Sequence, residues 1–211
     1  MKAQPVVVVL AAGLGSRFGG TIHKLGQDLD GASVLARVLS QVLATSLEAV
    51  VVTTEALADE ARRSVASRDI VLLPKVGASD LPLGMGYSIA AGVSARPNAS
   101  GWLILPGDMP LVQPSTVLAV AAALEHHPVA FAQYQGRRGH PVGFSAELYS
   151  ELSALQGDAG ARRLTARYPA QGVDVDDPGV LVDIDTEADL KRARAARQQS
   201  LAAANMDDGG T

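Results

Sequence analysis

Residues 9–24 read Val-Leu-Ala-Ala-Gly-Leu-Gly-Ser-Arg-Phe-Gly-Gly-Thr-Ile-His-Lys, and they hold the residue types that bind phosphate. Gly13, Gly15, Gly19 and Gly20 let the backbone bend sharply and bring amide N–H groups close to an anion. Arg17 offers a fork of charge-assisted bonds to phosphate oxygens, and Lys24 a point charge on a flexible stem. Two better-known phosphate loops do not fit. A dinucleotide fingerprint needs its third glycine at position 18, where Phe18 stands, and a P-loop needs a Gly-Lys-Ser/Thr ending that this segment lacks. Strand-to-helix turns carry glycines without any ligand as well, so Arg17 and Lys24 are what give the loop a phosphate-binding reading.

Carboxylates stand at two further places. Leu103-Ile-Leu-Pro-Gly-Asp-Met-Pro-Leu111 is a strand pattern that stops in a turn bounded by proline and glycine, with Asp108 in that turn. In open α/β sheets ligands bind beyond the carboxyl ends of the strands, which would place Asp108 and the first loop on one crevice. A turn-organising aspartate reads equally well from local sequence. In Val180-Leu-Val-Asp-Ile-Asp-Thr186, read as a strand end, alternation puts Asp183 and Asp185 on one face. Such a pair calls for a compensating cation, and a hard Mg²⁺ shared with substrate phosphates is the usual solution. Asp185 is the better candidate for capping the next helix, which leaves Asp183 as the second metal ligand beside Asp108.

Three glycine motifs follow the same logic more weakly. Gly84-Met85-Gly86 opens a short helical pattern whose backbone could read a flat base, with Ser88 donating to the base or to a phosphate. Glycines that merely serve a turn and helix packing explain the same residues. Gly136-Arg-Arg138-Gly-His140-Pro-Val-Gly-Phe144 and Gly157-Asp158-Ala-Gly-Ala-Arg162-Arg163 form a second region of glycine and arginine, suited to a second anionic substrate. His140 precedes a proline and is biased toward extended backbone. It reads as a substrate-site residue or as a structural one, whereas His126 and His127, ending a helical pattern before Pro128, read as structural.

These residues need a scaffold, and the chain supplies one in alternation. Short apolar runs at 6–10, 49–53, 70–73, 102–105, 129–133, 141–144 and 180–184 predict strands. Helical patterns at 34–44, 56–66, 87–93, 116–125, 146–152, 159–168 and 187–197 lie between and after them. Thr186 with Asp189 three residues on predicts a capping box for the last helix. Residues 1–197 read as a single domain, and 198–211, which lose apolar period, as a disordered tail. The basic residues Lys191, Arg192, Arg194 and Arg197 suit a helix C-terminus and a solvated face. With 211 residues and 47% hydrophobic composition there is ample core. A net charge of −4 argues against nucleic acid as a partner, and the absence of cysteine excludes disulfides and thiolate metal sites. No signal-peptide pattern or membrane-length apolar run is present, so the expectation is a cytoplasmic protein with no membrane partner.

Taken in order, Leu10-Ala11-Ala12-Gly13-x-Gly15-Ser16-Arg17-Phe18-Gly19-Gly20, Gly84-Met-Gly-x-Ser-Ile-Ala-Ala-Gly92, Gly107-Asp-Met-Pro110, Gly139-His-Pro-Val-Gly-Phe144, Gly157-Asp-x-Gly-Ala-Arg162 and Asp183-Ile-Asp-Thr186 make the chain resemble the molybdenum cofactor cytidylyltransferases, within the nucleotidyltransferases of molybdopterin-guanine-dinucleotide type. The likeness spans residues 5–195. It implies an α/β fold of three layers, Rossmann-like, with a mainly parallel sheet of the nucleotide-diphospho-sugar transferase type. It implies nucleotide motifs mainly within 9–108 and acceptor motifs mainly within 136–163. On this resemblance Leu10, Ala11, Ala12, Gly13, Gly15, Ser16, Arg17, Lys24, Gly84, Met85, Gly86, Ser88 and Asp108 hold a nucleoside triphosphate, with Arg17, Lys24 and Asp108 catalytic. Asp108 and Asp183 hold Mg²⁺, and Arg138, His140, Gly157, Asp158 and Arg162 hold the phosphorylated acceptor, a molybdenum-pterin. Ala12 and Phe18 match the CTP-using branch rather than the GTP-using one. A molybdoenzyme or its chaperone would receive the product. The gap from Gly20 to Lys24 is longer than the family's usual one. Other phosphorylated acceptors, or an NAD(P)-dependent oxidoreductase with a degenerate glycine loop, are the alternatives; Asp108 and Asp183 have no role in hydride transfer.

Overall fold

The computed structural model describes residues 3–13, 15, 18, 23–74 and 84–207, the last of these (200–207) by backbone alone. The strands are β1 (Val6–Ala11), β2 (Glu48–Thr53), β3 (Ile70–Leu72), β4 (Gly101–Pro106), β5 (Val129–Tyr134), β6 (Arg137–Ser145) and β7 (Ala170–Asp174). The helices are α1 (Val34–Leu43), α2 (Glu55–Arg62), α3 (Gly84–Ser94), α4 (Pro114–Ala123), α5 (Tyr149–Ser153), α6 (Arg162–Arg167) and α7 (Glu187–Asp207). One seven-stranded sheet runs β3-β2-β1-β4-β6-β5-β7. Its pairings are parallel except those of β6, which is antiparallel to both β4 and β5.

Strand β1 shows why the sheet is central. Val7, Val9 and Ala11 pack into one core with α1, α2, α4 and α7, while Val6 and Val8 pack into another with α3, α5 and α6. A strand buried on both faces needs apolar residues at every position, which is what the Val-Val-Val-Val-Leu run supplies. The result is the expected α/β fold of three layers, helices on both sides of a mostly parallel sheet.

Two departures matter for the site. Residues 180–184 are not a strand: Pro178–Leu181 forms a 3₁₀ turn, with Val180 N donating to Asp177 O and Val182 N to Gly179 O. Its apolar residues Val180 and Ile184 are fully buried in the core instead of pairing in the sheet. Strand β7, which the sequence pattern did not reveal, takes the sheet edge beside β5. Its Ala-Gln-Gly-Val-Asp sequence is mostly exposed and carries no buried alternation to read. Helix α7 also continues to Asp207, so residues 198–207, expected in the tail, are helical.

Candidate active site

Parallel pairing of β1 with β4 brings the C-terminal ends of both to one edge of the sheet. Gly107 N donates to Leu10 O at 2.8 Å, and a Cβ at Gly107 would stand only 2.9 Å from that oxygen, so the turn bearing Asp108 lies directly on the end of β1. The loop that follows β1 is closed from its far side by His23. Its Nδ1 accepts from Leu25 N at 3.2 Å, which leaves the proton on Nε2 to donate to Gly13 O at 2.8 Å. Buried Phe18 and Leu25 pin this segment into the core, and Gly15 takes a left-handed φ of +62° beneath the His23 ring. Ser16, Arg17, Gly19 and Gly20 lie outside the described residues.

This clasp delivers Lys24 to the carboxylates, so the long Gly20-to-Lys24 gap does not remove it from the site. The Lys24 ammonium donates to Asp108 Oδ2 at 2.6 Å and to Asp185 Oδ1 at 2.7 Å, with the three side chains between 11% and 20% exposed. Burial by itself would lower the Lys24 pKa, but hydrogen bonds and charge from Asp108 and Asp185 outweigh it and hold the ammonium above its ordinary value. Asp108 Oδ1 is buried without a hydrogen-bond partner among the described residues.

Asp185 was expected to cap the last helix, with Asp183 as the second metal ligand beside Asp108. The capping box belongs to Thr186 and Asp189: Asp189 N donates to the Thr186 hydroxyl, and Thr186 N donates to the Asp189 carboxylate at 2.8 Å. Asp185 Oδ1 is thereby directed to Lys24, and Asp183 is exposed. The segment is held against the Asp108 turn by Ile184 N donating to Asp108 O at 2.9 Å.

Sequence reasoning missed the anchor of this segment. Asp177 is 2% exposed, and its carboxylate accepts from Gln113 N, Thr116 Oγ1 and Gly179 N. It ties the 3₁₀ turn to the start of α4, just past Asp108. Gly179 and Gly139 complete the seam, since a Cβ on either would stand 2.3 Å from a backbone oxygen, of Leu111 and Val180 respectively. Asp177-Pro178-Gly179 carried a legible turn-and-cap signature that pointed here.

The residues read as an acceptor site fall in two places. Because β6 runs antiparallel to β4, with Ile104 opposite Val142, it carries His140 back to the edge where Asp108 sits. Burial pulls the His140 imidazole below its ordinary pKa, against the opposing charges of nearby Asp108 and Asp183 and with the help of Arg138. Arg138 itself is exposed, its guanidinium 4.3 Å over the Phe131 ring. Gly157, Asp158 and Arg162 belong to a different wall. Gly86 N donates to Gly157 O at 2.8 Å, and Cβ atoms on Gly84 or Gly86 would collide with the backbone of residues 156–158. Gly84 and Gly86 thus permit a close approach between the start of α3 and the 156–158 loop. Met85 is 53% exposed, and buried Ser88 places its hydroxyl 3.5 Å from Gly84 O within its own helix.

Two walls therefore flank the sheet edge. Lys24, Asp108 and Asp185 rise beside the core that holds α1 and α4, and the α3 start with the 156–158 loop rises beside the core that holds α5 and α6. A recess of about 1080 Å³ at the opposite edge, near Val6, Glu48 and Ser100, carries none of these residues. Among the described residues no group of three or more His, Cys, Asp or Glu side chains could hold a metal ion by itself, and no helix is long and apolar enough to cross a membrane.

The model of the MobA-like NTP transferase domain matches residues 7–173. The chain belongs to that family. A MobA-like NTP transferase is a nucleotidyltransferase. Among curated relatives, the bifunctional protein GlmU of Polaromonas naphthalenivorans (strain CJ2) is 33% identical over 129 residues, covering 59% of this chain and 27% of that protein. The chain spans about a quarter of the length of the curated relatives it matches. Among solved structures, the homologue of Mycobacterium tuberculosis Rv0371c from Mycobacterium sp. strain JC1 superposes with a TM-score of 0.78 at 27% identity, covering 93% of this chain and 98% of that one. Rv0371c of M. tuberculosis H37Rv in complex with manganese gives a TM-score of 0.72 at 25% identity, covering 91% and 98%.

Proposed function

We propose that this nucleotidyltransferase transfers CMP from CTP to the terminal phosphate of a molybdenum-pterin cofactor and releases pyrophosphate. The observation that carries this reading is the convergence of Lys24, Asp108 and Asp185 at the end of β1, where the glycine-rich loop begins. The six ordered motifs of molybdenum cofactor cytidylyltransferases, with Ala12 and Phe18 as in the CTP branch, support the substrates.

In this reaction an oxygen of the acceptor phosphate attacks the α-phosphorus of CTP, and the bond from that phosphorus to the β-phosphate oxygen breaks in line. A phosphate is already ionised at neutral pH, so no general base is required. The chain's work is alignment and neutralisation of charge. Lys24, Arg17 and the loop amides would hold the triphosphate. His140, which burial keeps neutral near pH 7, would offer the acceptor a hydrogen bond without a charge.

The residues present fit a divalent metal. Asp108 has a buried oxygen with no partner among the described residues, and Asp185 supplies a second carboxylate on the same ammonium. Hard cations such as Mg²⁺ bind through one or two carboxylates plus substrate phosphates, which is why a protein-only cluster of three is not needed. Asp183, the ligand implied by resemblance, is exposed and lies near enough to act on the charge of His140. When bound, the metal would supply neutralisation of the triphosphate and polarisation of its α-phosphorus. That Rv0371c forms a complex with manganese is in keeping with a divalent metal in this reading.

The test is thermal unfolding with CTP, GTP, ATP or NADPH, each with Mg²⁺ or with EDTA, followed by pyrophosphate release with molybdenum-pterin and with a sugar phosphate as acceptors. CTP with Mg²⁺ is expected to raise the melting temperature far more than either alone, and Asp108→Asn to abolish the gain without loss of folding. Stabilisation by NADPH, or pyrophosphate release with the sugar phosphate alone, would overturn the assignment.

A further inference from the structure

We propose that Arg194 and Arg197 are positioning residues for the candidate active site: by gripping the turn of residues 28–30 they fix the register of α7 against the Lys24 segment, and so set Asp185 against Lys24. The inference rests on the nucleotidyltransferase reading of that site and extends it to residues at a distance from it.

Lys24 and Asp185 begin two segments that meet again farther along. The first is folded locally into one piece: Gly26 N donates to His23 O at 2.8 Å, Leu29 N to Ala32 O at 2.7 Å and Val34 N to Gln27 O at 3.0 Å, and Ser33 caps α1. The second is α7, which starts at Glu187, just past Asp185. On α7, Leu190, Ala193, Arg194 and Arg197 recur at the i, i+3, i+4, i+7 spacing of one helix face. Leu190 and Ala193 are buried in the core that holds Leu25 and Leu29. The arginines carry that face onto the turn: Arg194 donates to Asp28 O, and Arg197 Nε to Asp30 Oδ2 at 3.2 Å. Arg37 of α1 donates to Leu29 O and Asp30 O, so the carbonyls of Asp28, Leu29 and Asp30 each accept from an arginine. The solvated basic face expected from sequence is therefore divided: Lys191 and Arg192 are exposed, whereas Arg194 and Arg197 are half-buried against the turn.

Isolated surface ion pairs contribute little, but the Arg197 and Asp30 side chains are only 17% and 23% exposed, and the turn they hold is tied to α1 as well. From Glu187 to Arg197 the helix rises about 15 Å, so the grip reaches Asp185 through a hydrogen-bonded rod rather than by contact. A slip of α7 by one residue position would rotate its face by about 100° and shift it by about 1.5 Å. The Lys24 contact with Asp185, at 2.7 Å, depends on that register being held.

The experiment is urea unfolding of the full chain for wild type, Arg197→Gln, Lys24→Met and the double variant, with Arg197→Lys as the conservative substitution. Changes at residues this far apart that share no partner have additive free energies, so their effects on the folding constant multiply within about twofold. If the grip sets the Lys24 contact, loss of either makes the other worth less. The double variant is then expected to lose less than the product of the two single losses, by more than about twofold. In pyrophosphate release from CTP, Arg197→Gln is expected to lower kcat about threefold to tenfold with KM for CTP within about twofold, and Arg197→Lys, which keeps a charge for Asp30, to restore most of the rate. Single losses that multiply in the double variant, or full kcat in Arg197→Gln, would overturn the proposal. The unfolding series contains no nucleotide, so a wild type inactive on CTP would count against the proposed function, while the unfolding result still decides the role of the arginines.

Discussion

His140 shows how one residue's surroundings set its chemistry. Its imidazole lies beside carboxylates that favour the protonated form, yet burial outweighs them and the pKa falls below 6.5. The consequence for stability has a definite sign. Above the unfolded value both states carry neutral histidine and the residue contributes nothing; as pH drops below 6.5 the unfolded chain takes up the proton first and stability is lost, down through the folded pKa. Chemical denaturation of wild type and His140→Gln between pH 8 and pH 5, a range chosen to bracket about 6.5, should therefore give free energies that differ by a constant amount at the high end. Toward the low end wild type should fall more steeply than the variant. Parallel curves would mean that the imidazole is solvated and free to charge in the folded protein.

At the scale of elements, the acid-bearing segment 178–185 is positioned by what lies beneath it. Asp177 is the single carboxylate that satisfies the first amide of the 3₁₀ turn, the amide of Gln113 and the hydroxyl of Thr116. Asp177→Ala would take the acceptor from the buried Gly179 N–H and Thr116 hydroxyl and from the part-buried Gln113 N–H, a loss of about 3 kcal/mol. Urea unfolding should show that loss, and Asp177→Asn, which retains one acceptor oxygen, should recover part of it. A loss under about 1 kcal/mol would mean that water replaces the carboxylate. This element was also where sequence pattern failed. The apolar run of 180–184 has strand composition, but Val180 and Ile184 are buried in the core while the Val180 and Val182 amides bond locally and the Ile184 amide bonds to the Asp108 turn, and periodicity reports burial rather than pairing. By contrast β1 was legible because burial on both faces leaves no polar position to confuse the pattern. Of the site, Asp108, Lys24 and the capping box were readable from local residue types. The union of Lys24 with Asp185 was not, since nothing local joins positions 24 and 185; only the fold does.

On the scale of the whole molecule, the motifs expected to bind nucleotide and those expected to bind the acceptor are not separated in space by chain order. Antiparallel β6 returns His140 to the Asp108 edge, while Gly157 and Arg162 stay on the opposite wall, joined to the start of α3. Substrates bound across the sheet edge would touch both walls, but a mutation transmits to nucleotide affinity only where contacts are shared. His140 lies within electrostatic reach of the Asp108 carboxylate, and Arg162 is an exposed residue at the head of a short helix packed on the other core. Calorimetric titration of CTP with Mg²⁺ should therefore separate two variants that chain order would group together. His140→Gln should weaken the nucleotide about threefold to tenfold, an interaction of roughly 1 kcal/mol, and Arg162→Ala should leave it within about twofold. Both should impair use of the phosphorylated acceptor. A loss in Arg162→Ala as large as that in His140→Gln would show that the 156–162 wall closes on the triphosphate itself, and that the two walls form one pocket rather than two facing subsites.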